Sequence, residues 1–260
     1  MHDVVDQSAK EARSFLTSAE ALRETFAAVD VCYIDVAAIA DDEWRQLVAL
    51  LDETEAARAT RFAFEDDRRA YIATHALLRA RLSERQKEIA PPQWRFGATP
   101  HGKPFVHSPR DGFNISLSHT RGMAAVAIAS GRDVGVDVES FLRPRDALKV
   151  AERFFAPEEA ALVRRELDPL ARSEVFFAIW TVKEAVLKAD GRGLAGGLDS
   201  FVVNLSPLAV SSGCGESYGV AQWRRAGFFI AAAARGGEVN FRLTETRATA
   251  LIHVADSFEA

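Results

Sequence analysis

Along this chain the apolar positions alternate between a period near two and a period near 3.6, and the switches mark out the elements. Val31 to Ile39, VCYIDVAAI, predicts a buried strand, and the carboxylates of Asp41 and Asp42 suit the start of a helix after it. From Glu53 to Arg85, Leu, Ile and aromatic residues recur at helical spacing with one strongly basic side, until Pro91 and Pro92 end the helical region. Trp94 to Phe96, Lys103 to Val106 and Phe113 to Leu117 predict short strands in a turn-rich stretch. Met123 to Ala129 and Val134 to Glu139 flank the polar turn Ser130-Gly131-Arg132-Asp133, which predicts a hairpin. Pro157 followed by Glu158 and Glu159 opens one helix, and a second runs from Ser173 to Asp190 and stops at Gly191. Between Leu198 and Val254 the segments FVVNL, FFIAAAA, VNFRL and ALIHV read as strands.

Residues 1–28 read as a charged, Ala-rich extension of weak helical character. Beyond it the expected organisation is an N-terminal α+β half over 29–132 and a C-terminal α+β half over 133–260. A faint internal repeat supports two halves: Tyr71 to Ala80 lies on Trp180 to Ala189 with an aromatic, paired aliphatics, a base and an alanine in common. A duplicated fold of this kind places a cleft between its halves, a common location for ligand sites.

Composition narrows the class. The 260 residues are 48% hydrophobic and 27% charged, as in an ordinary globular protein. A formal charge of -5 argues against a nucleic-acid coat or a polybasic membrane binder, and no apolar run is long enough to span a bilayer. Two cysteines, Cys32 and Cys214, make no disulfide framework and show no metal-ligand spacing, so with no secretory signal at the start the expected setting is cytoplasmic.

Candidate chemistry comes from three places. In VGVDVE the strand period puts Gly135, Asp137 and Glu139 on one face, with the two acidic Cα atoms roughly 6.5 to 7 Å apart. Carboxylate oxygens without nearby His or Cys suit Mg²⁺, with Mn²⁺ an alternative; two solvated acids on an exposed strand is the bland alternative. On the helix near Trp180, Glu184 and Lys188 share a face with Lys183 on the flank, either as a helix-stabilising ion pair or as a third acid with cations for a phosphorylated ligand. Upstream, Gly102-Lys103-Pro104 is a turn carrying a cation, and Asn114 to Thr120 ends a strand in Ser118 and His119.

The order GKPFV, FNISLSHT, GVDVE, FFAPEE, WTVKEAVLKADGRGL resembles the surfactin-type (Sfp-type) 4′-phosphopantetheinyl transferases over about Val31 to Val254. The resemblance implies two pseudo-twofold-related α+β halves with coenzyme A in the cleft between them. It implies Mg²⁺-assisted transfer of the phosphopantetheine arm to a serine of an apo acyl or peptidyl carrier protein, releasing adenosine 3′,5′-bisphosphate. Asp137, Glu139 and Glu184 match the family's metal-site acids, and Glu184 also its base. Lys188 matches the lysine supporting the leaving phosphate, and Lys183 a further phosphate contact. Ser118 and His119 match the Ser-His pair near the coenzyme A phosphates, while Gly102, Lys103 and Pro104 match the segment beside the adenine nucleotide. Arg58, Arg61 and Arg69 fall where the family places cations toward the 3′-phosphate, but Glu55 stands where a base is often found, with Arg68 as a substitute.

Two rival readings use the same residues: a Mg²⁺-dependent phosphohydrolase or nucleotidyl transferase, and a non-catalytic coenzyme A-binding module. Carrier proteins are acidic around the target serine, so Arg143, Arg145, Arg153 and the loop from Gly191 to Gly197 are the expected docking groups. Two halves in one chain complete the cleft, which predicts a monomer.

Overall fold

The computed structural model describes residues 28–109, 112–142, 146–193, 197–212 and 215–258. Its centre is a pair of packed sheets. Strands β1 (Ala28–Asp35), β4 (Phe113–Thr120), β5 (Met123–Ser130) and β11 (Asn240–Glu245) form one sheet in the order β11-β1-β5-β4. The strands β6 (Val134–Ser140), β9 (Tyr218–Arg225) and β10 (Phe228–Arg235) form the other in the order β6-β10-β9. Two small ribbons complete the strands, β2 (Arg95–Ala98) with β3 (Pro104–Ser108), and β7 (Phe201–Leu205) with β8 (Leu208–Ser212).

Period-two patterning explains why the sheets stack. Val29, Val31 and Tyr33 of β1 and Ala125, Ala127 and Ala129 of β5 meet Val134, Val136 and Val138 of β6 and Ile230, Ala232 and Ala234 of β10 in one buried layer. The opposite faces carry apolar residues too, because each sheet is covered on its outside by a long helix, and strands buried on both faces read as continuous apolar runs.

The first of these helices is preceded by α1 (Glu43–Ala49) and α2 (Glu53–Ala59). Asp52 caps α2 by accepting from the Glu55 N–H at 2.9 Å. Helix α3 (Glu65–Arg85) starts with three acids in its first turn and packs Ile72, Leu77 and Leu78 against Cys32, Ile34, Val126 and Ile128. The single helical run expected from Glu53 to Arg85 therefore breaks between α2 and α3. In the second half, α4 (Ala147–Phe154) and α5 (Pro157–Arg165) precede α6 (Pro169–Asp190). Asp168 accepts from the Ala171 N–H at 2.8 Å to start α6, and Gly191 at φ 82 ends it. Phe176, Phe177, Ile179, Val182 and Val186 of α6 pack with Phe229, Ala231 and Ala233 of β10. Each such fully buried side chain contributes about 1.5–3 kcal/mol.

Two expectations are corrected. Strands β5 and β6 do not form a hairpin: β5 pairs with β4 through the turn at Gly122 (φ 98), and β6 pairs with β10 in the other sheet. Both strands are apolar enough to be buried, and the turn between them carries the chain from sheet to sheet. The segment ALIHV is helical, within α7 (Ala248–Asp256), because Leu251 packs into the α3 core at helical spacing. Strand β11, the expected VNFRL strand, runs parallel to β1, so the chain returns to the first half before it enters α7.

Candidate active site

The two sheets meet at an unusual seam. The Val136 and Val138 N–H groups of β6, on the edge away from β10, donate to the hydroxyls of Ser116 (3.0 Å) and Ser118 (3.2 Å) on β4. Side-chain oxygens here replace the backbone ladder, which leaves the carboxylates of β6 and the end of β4 side by side.

Helix α6 comes down on β6 at Gly135. A Cβ there would lie 1.9 Å from the Ala185 carbonyl oxygen, so only glycine allows the approach. The close contact sets Lys188 beside Asp137. Lys188 Nζ donates to Asp137 Oδ1 (2.7 Å) and to the Val136 carbonyl (3.0 Å), and the Ser118 hydroxyl donates to the same Oδ1 (2.8 Å). Asp137 is 5% exposed, and its Oδ2 is buried without a hydrogen-bond partner among the described residues. Burial raises the pKa of Glu184, one turn before Lys188, and the charge of Asp137 raises it further against the opposing pull of Lys188. Glu139 lies half-buried farther along the same face of β6.

Glu184 and Lys188 border a cavity of about 270 Å³ whose walls also include Gly102, Lys103, Pro104 and Ser116. Gly102 sits at φ 84 in a tight turn closed by Thr99 N–H to Lys103 O (2.9 Å). Lys103 pins this wall to the end of α6: its Nζ donates to Asp133 Oδ1 and to the Ala189 carbonyl, each at 2.7 Å. The GKP turn, the strand β4 and the α6 face, from Gly102 to Lys188 in sequence, thus converge on one concavity between the halves.

Not every expected residue joins it. Lys183 does not face a phosphate: its ammonium is fully buried, donating to the Leu198 and Phe201 carbonyls (2.7 Å each) and paired with Glu159 at 2.9 Å. At i+3 from Trp180 it falls on the core side of α6, where Phe155 and Phe201 flank it. Arg69 is held by Asp41 and Glu65 (2.9 Å each) over the Trp44 ring, and Arg68 by Glu65. Arg58 and Arg61 are exposed, and Arg58 lies over the Tyr71 ring at 5.5 Å. His119 stands exposed on β4, its pKa lowered by the desolvating atoms around it and then by the charges of His75 and Lys188. Arg143 and Arg145 lie outside the described residues, as do 194–196 of the Gly191 to Gly197 loop, while Arg153 is exposed over the Phe154 ring.

Sequence reasoning passed over Ser116, although its period-two relation to Ser118 was in view. It also missed a buried network in the first half: Arg79 donates to Glu55 (2.6 Å) and Asp52 (2.7 Å), and Glu55 also meets His75 Nδ1 at 2.7 Å.

A buried carboxylate oxygen lacking a partner, beside a second carboxyl whose ionisation it opposes, is the environment that a hard cation relieves. Asp137 and Glu184 fit such an ion in donor chemistry. Among the described residues no three His, Cys, Asp or Glu side chains are gathered closely enough to hold one as they stand.

Comparisons with known proteins identify the family. Residues 39–131 match the family described as 4′-phosphopantetheinyl transferase, N-terminal, and residues 133–232 match the 4′-phosphopantetheinyl transferase superfamily. The 4′-phosphopantetheinyl transferase HetI of Nostoc sp. is 36% identical over 170 residues, covering 64% of this chain and 70% of that protein. The chain belongs to the 4′-phosphopantetheinyl transferases. Of its surfactin-type relatives, the transferase ffp of Bacillus subtilis is 30% identical over 169 residues, covering 64% of this chain and 72% of that protein. The transferase Sfp of Bacillus subtilis strain 168 is 28% identical over 169 residues with the same coverage, 64% and 72%. The surfactin type expected from the motif order therefore stands, and the fold, two α+β halves with a cleft at their junction, is the one that the resemblance implied. Among the described residues no helix of this transferase is long and apolar enough to cross a membrane.

Proposed function

We infer that this transferase moves the 4′-phosphopantetheine arm of coenzyme A onto a serine hydroxyl of an apo acyl or peptidyl carrier protein. The observation that carries the reading is that Glu184 and Lys188 line one cavity beside the GKP turn, with Asp137 bonded to Lys188. In the reaction the serine oxygen forms a bond to the phosphorus bearing the pantetheine arm. The bond from that phosphorus to the bridging oxygen breaks, and adenosine 3′,5′-bisphosphate leaves. Phosphoryl transfer of this kind needs positioning and charge neutralisation more than covalent help from the protein.

Lys188 spends two of its three N–H groups on Asp137 and Val136, and the third serves the departing phosphate. Glu184, whose carboxyl burial holds above the ordinary range, takes the serine proton directly or through one water. Asp137, Glu184 and Glu139 would hold Mg²⁺, which neutralises the charge of the pyrophosphate when bound. Ser118 keeps Asp137 aimed by bonding Oδ1. The carrier approaches over the face bearing Arg153, where an acidic partner finds a cation beside an exposed aromatic ring.

The test is intact-protein mass spectrometry of an apo carrier incubated with coenzyme A, Mg²⁺ and the transferase. A gain of one phosphopantetheine arm is expected on the serine form and none on a Ser→Ala carrier. Cleavage of coenzyme A by water to 4′-phosphopantetheine and adenosine 3′,5′-bisphosphate without any carrier would point instead to the hydrolase reading, and coenzyme A binding with no transfer to any carrier would point to the binding module.

A further inference from the structure

The cavity beside Lys188 is lined by the GKP turn and by two glycines just past the end of α6, Gly191 and Gly193. Arg192, between them, is not part of the lining, and its side chain is 58% exposed. Both glycines stand at positive φ, 82 and 62, and a Cβ on Gly191 would lie 3.0 Å from Lys103 Cδ. The turn therefore presents bare backbone to the cavity and abuts the lysine of the GKP turn. A turn with two glycines also has more conformational freedom to lose than any other, so its own propensity does not hold it in place.

What holds it is an ionic cluster outside the cavity lining. Arg192 Nε donates to Asp190 Oδ2 at 2.5 Å, and its Nη2 lies 3.7 Å from Glu216 Oε2. Arg235, at the end of β10, pairs with the same two acids, with Glu216 directly and with Asp190 at 3.9 Å. The Tyr218 hydroxyl of β9 donates to Glu216 at 2.9 Å and stands 3.4 Å from Asp190 Oδ1. The Asp190 side chain is only 5% exposed, which makes it the fixed centre of the group. From Arg235 the contacts continue to the GKP turn. The Arg235 N–H donates to the Asp133 carbonyl at 2.9 Å, and Asp133 Oδ1 accepts from Lys103 Nζ, which also reaches the Ala189 carbonyl. Two parts of the cavity wall are thus tied to one frame, by Lys103 from the first half and by Arg192 from the second.

Resting on the coenzyme A reading above, we propose that Arg192 is a positioning residue for coenzyme A: by engaging Asp190 and Glu216 it sets the Gly191–Gly193 backbone as a preformed wall of the cavity, without touching the ligand. Binding against a preformed wall costs less ordering than binding against one that must be gathered into place. Once the ligand is bound the wall is the same with or without the arginine, so the contribution falls on affinity and not on the chemical step. Exposed ion pairs are individually weak, and a network of them adds only a small factor.

The experiment reads kcat, KM for coenzyme A and KM for the carrier in transfer to one apo carrier. It uses wild type, Arg192→Ala, Arg192→Lys, Glu216→Gln and the double variant of Arg192→Ala with Glu216→Gln. In Arg192→Ala, KM for coenzyme A is expected to rise about fourfold, with kcat and the carrier KM changed by less than about twofold. Arg192→Lys, which keeps a cation beside Asp190, is expected to recover most of that rise. Glu216→Gln is expected to raise KM for coenzyme A by itself, and the double variant to match Arg192→Ala, since the two sides of one clamp do not add. A guanidinium that met coenzyme A itself would leave this KM untouched in Glu216→Gln, and that result overturns the proposal. An unchanged KM for coenzyme A in Arg192→Ala, a loss in kcat alone, or a rise in the carrier KM instead overturns it as well. A wild type that transfers to no carrier overturns the coenzyme A reading, and the proposal with it.

Discussion

Lys188 and Asp137 face each other across the junction of α6 and β6, Nζ 2.7 Å from Oδ1, with the carboxylate 8% and the lysine 31% exposed at the side chain. A carboxylate so buried is stable only when it is hydrogen-bonded and charge-compensated, and Ser118 and Lys188 share that task. Lys188→Ala leaves Asp137 with the serine alone. Stability is expected to fall by about 1–3 kcal/mol in urea unfolding at neutral pH, and transfer by about 100-fold. An unaltered unfolding midpoint would show that water replaces the lysine.

Gly135→Ala tests the helix contact that makes this pair. The added methyl would sit 1.9 Å from the Ala185 carbonyl oxygen, which belongs to a rigid helix and cannot turn aside. A loss of about 1–3 kcal/mol in thermal or urea unfolding is expected, with weakened coenzyme A binding by calorimetry as α6 shifts. Wild-type stability and affinity together would mean that α6 does not rest on β6.

Lys183 and Glu159 are buried together, 0% and 1% exposed. Removing the lysine leaves Glu159 charged against the Ala156 and Val203 N–H groups alone. Lys183→Ala is expected to cost about 3–5 kcal/mol in unfolding free energy. In the fraction that stays folded at low temperature, KM for coenzyme A should move less than about threefold, since a phosphate contact would be worth more than that. A selective rise of KM in stable protein would return Lys183 to the phosphate site.

His119 gives a pH dependence of defined sign. Desolvation, then the charges of His75 and Lys188, hold its pKa in the folded protein below the unfolded value of about 6.5. The folded state therefore binds fewer protons than the unfolded chain near that pH, and stability declines as pH falls through about 6.5. Urea midpoints measured across this range should decline toward acid less steeply in His119→Gln than in wild type. Parallel profiles would remove the imidazole from the account.

Glu184→Gln separates metal binding from folding. With the carboxylate gone, Asp137 loses its partner donor for a hard cation. At a hundredfold excess over Kd, Mg²⁺ should stabilise the wild type by about 2.7 kcal/mol and the variant far less, read as a thermal shift. Transfer should drop by orders of magnitude. Equal Mg²⁺ shifts in both proteins would place the ion elsewhere.

Much of the fold was readable from local pattern. The long helices reveal themselves by spacing and by their ends, Asp168 and Gly191 for α6 and the acids at Glu65 to Asp67 for α3. Strands β1, β5, β6 and β10 are apolar runs that mark themselves as buried. Partner choice was not readable, because an apolar strand with two buried faces pairs equally well by its own pattern with several neighbours. That is why β5 and β6 look like a hairpin and are not one. The helix at Ala248 to Asp256 is too short for its period to outweigh the β-like run ALIHV until Leu251 meets the α3 core.

At the site, the sequence by itself determined the residue types and their order: the acids on one strand face, Glu184 and Lys188 one turn apart, and the turn at Gly102. These follow from backbone periodicity, which is local. Only the tertiary structure decided which groups meet. It sent Lys183 inward to Glu159, although one residue later Glu184 faces the cavity, because about 100° of helical rotation separates adjacent side chains. It tied Arg69 to Asp41, and it placed Glu55 behind His75. Charge pairing across a fold depends on which helix lies on which sheet, and that is fixed by packing summed over the whole core.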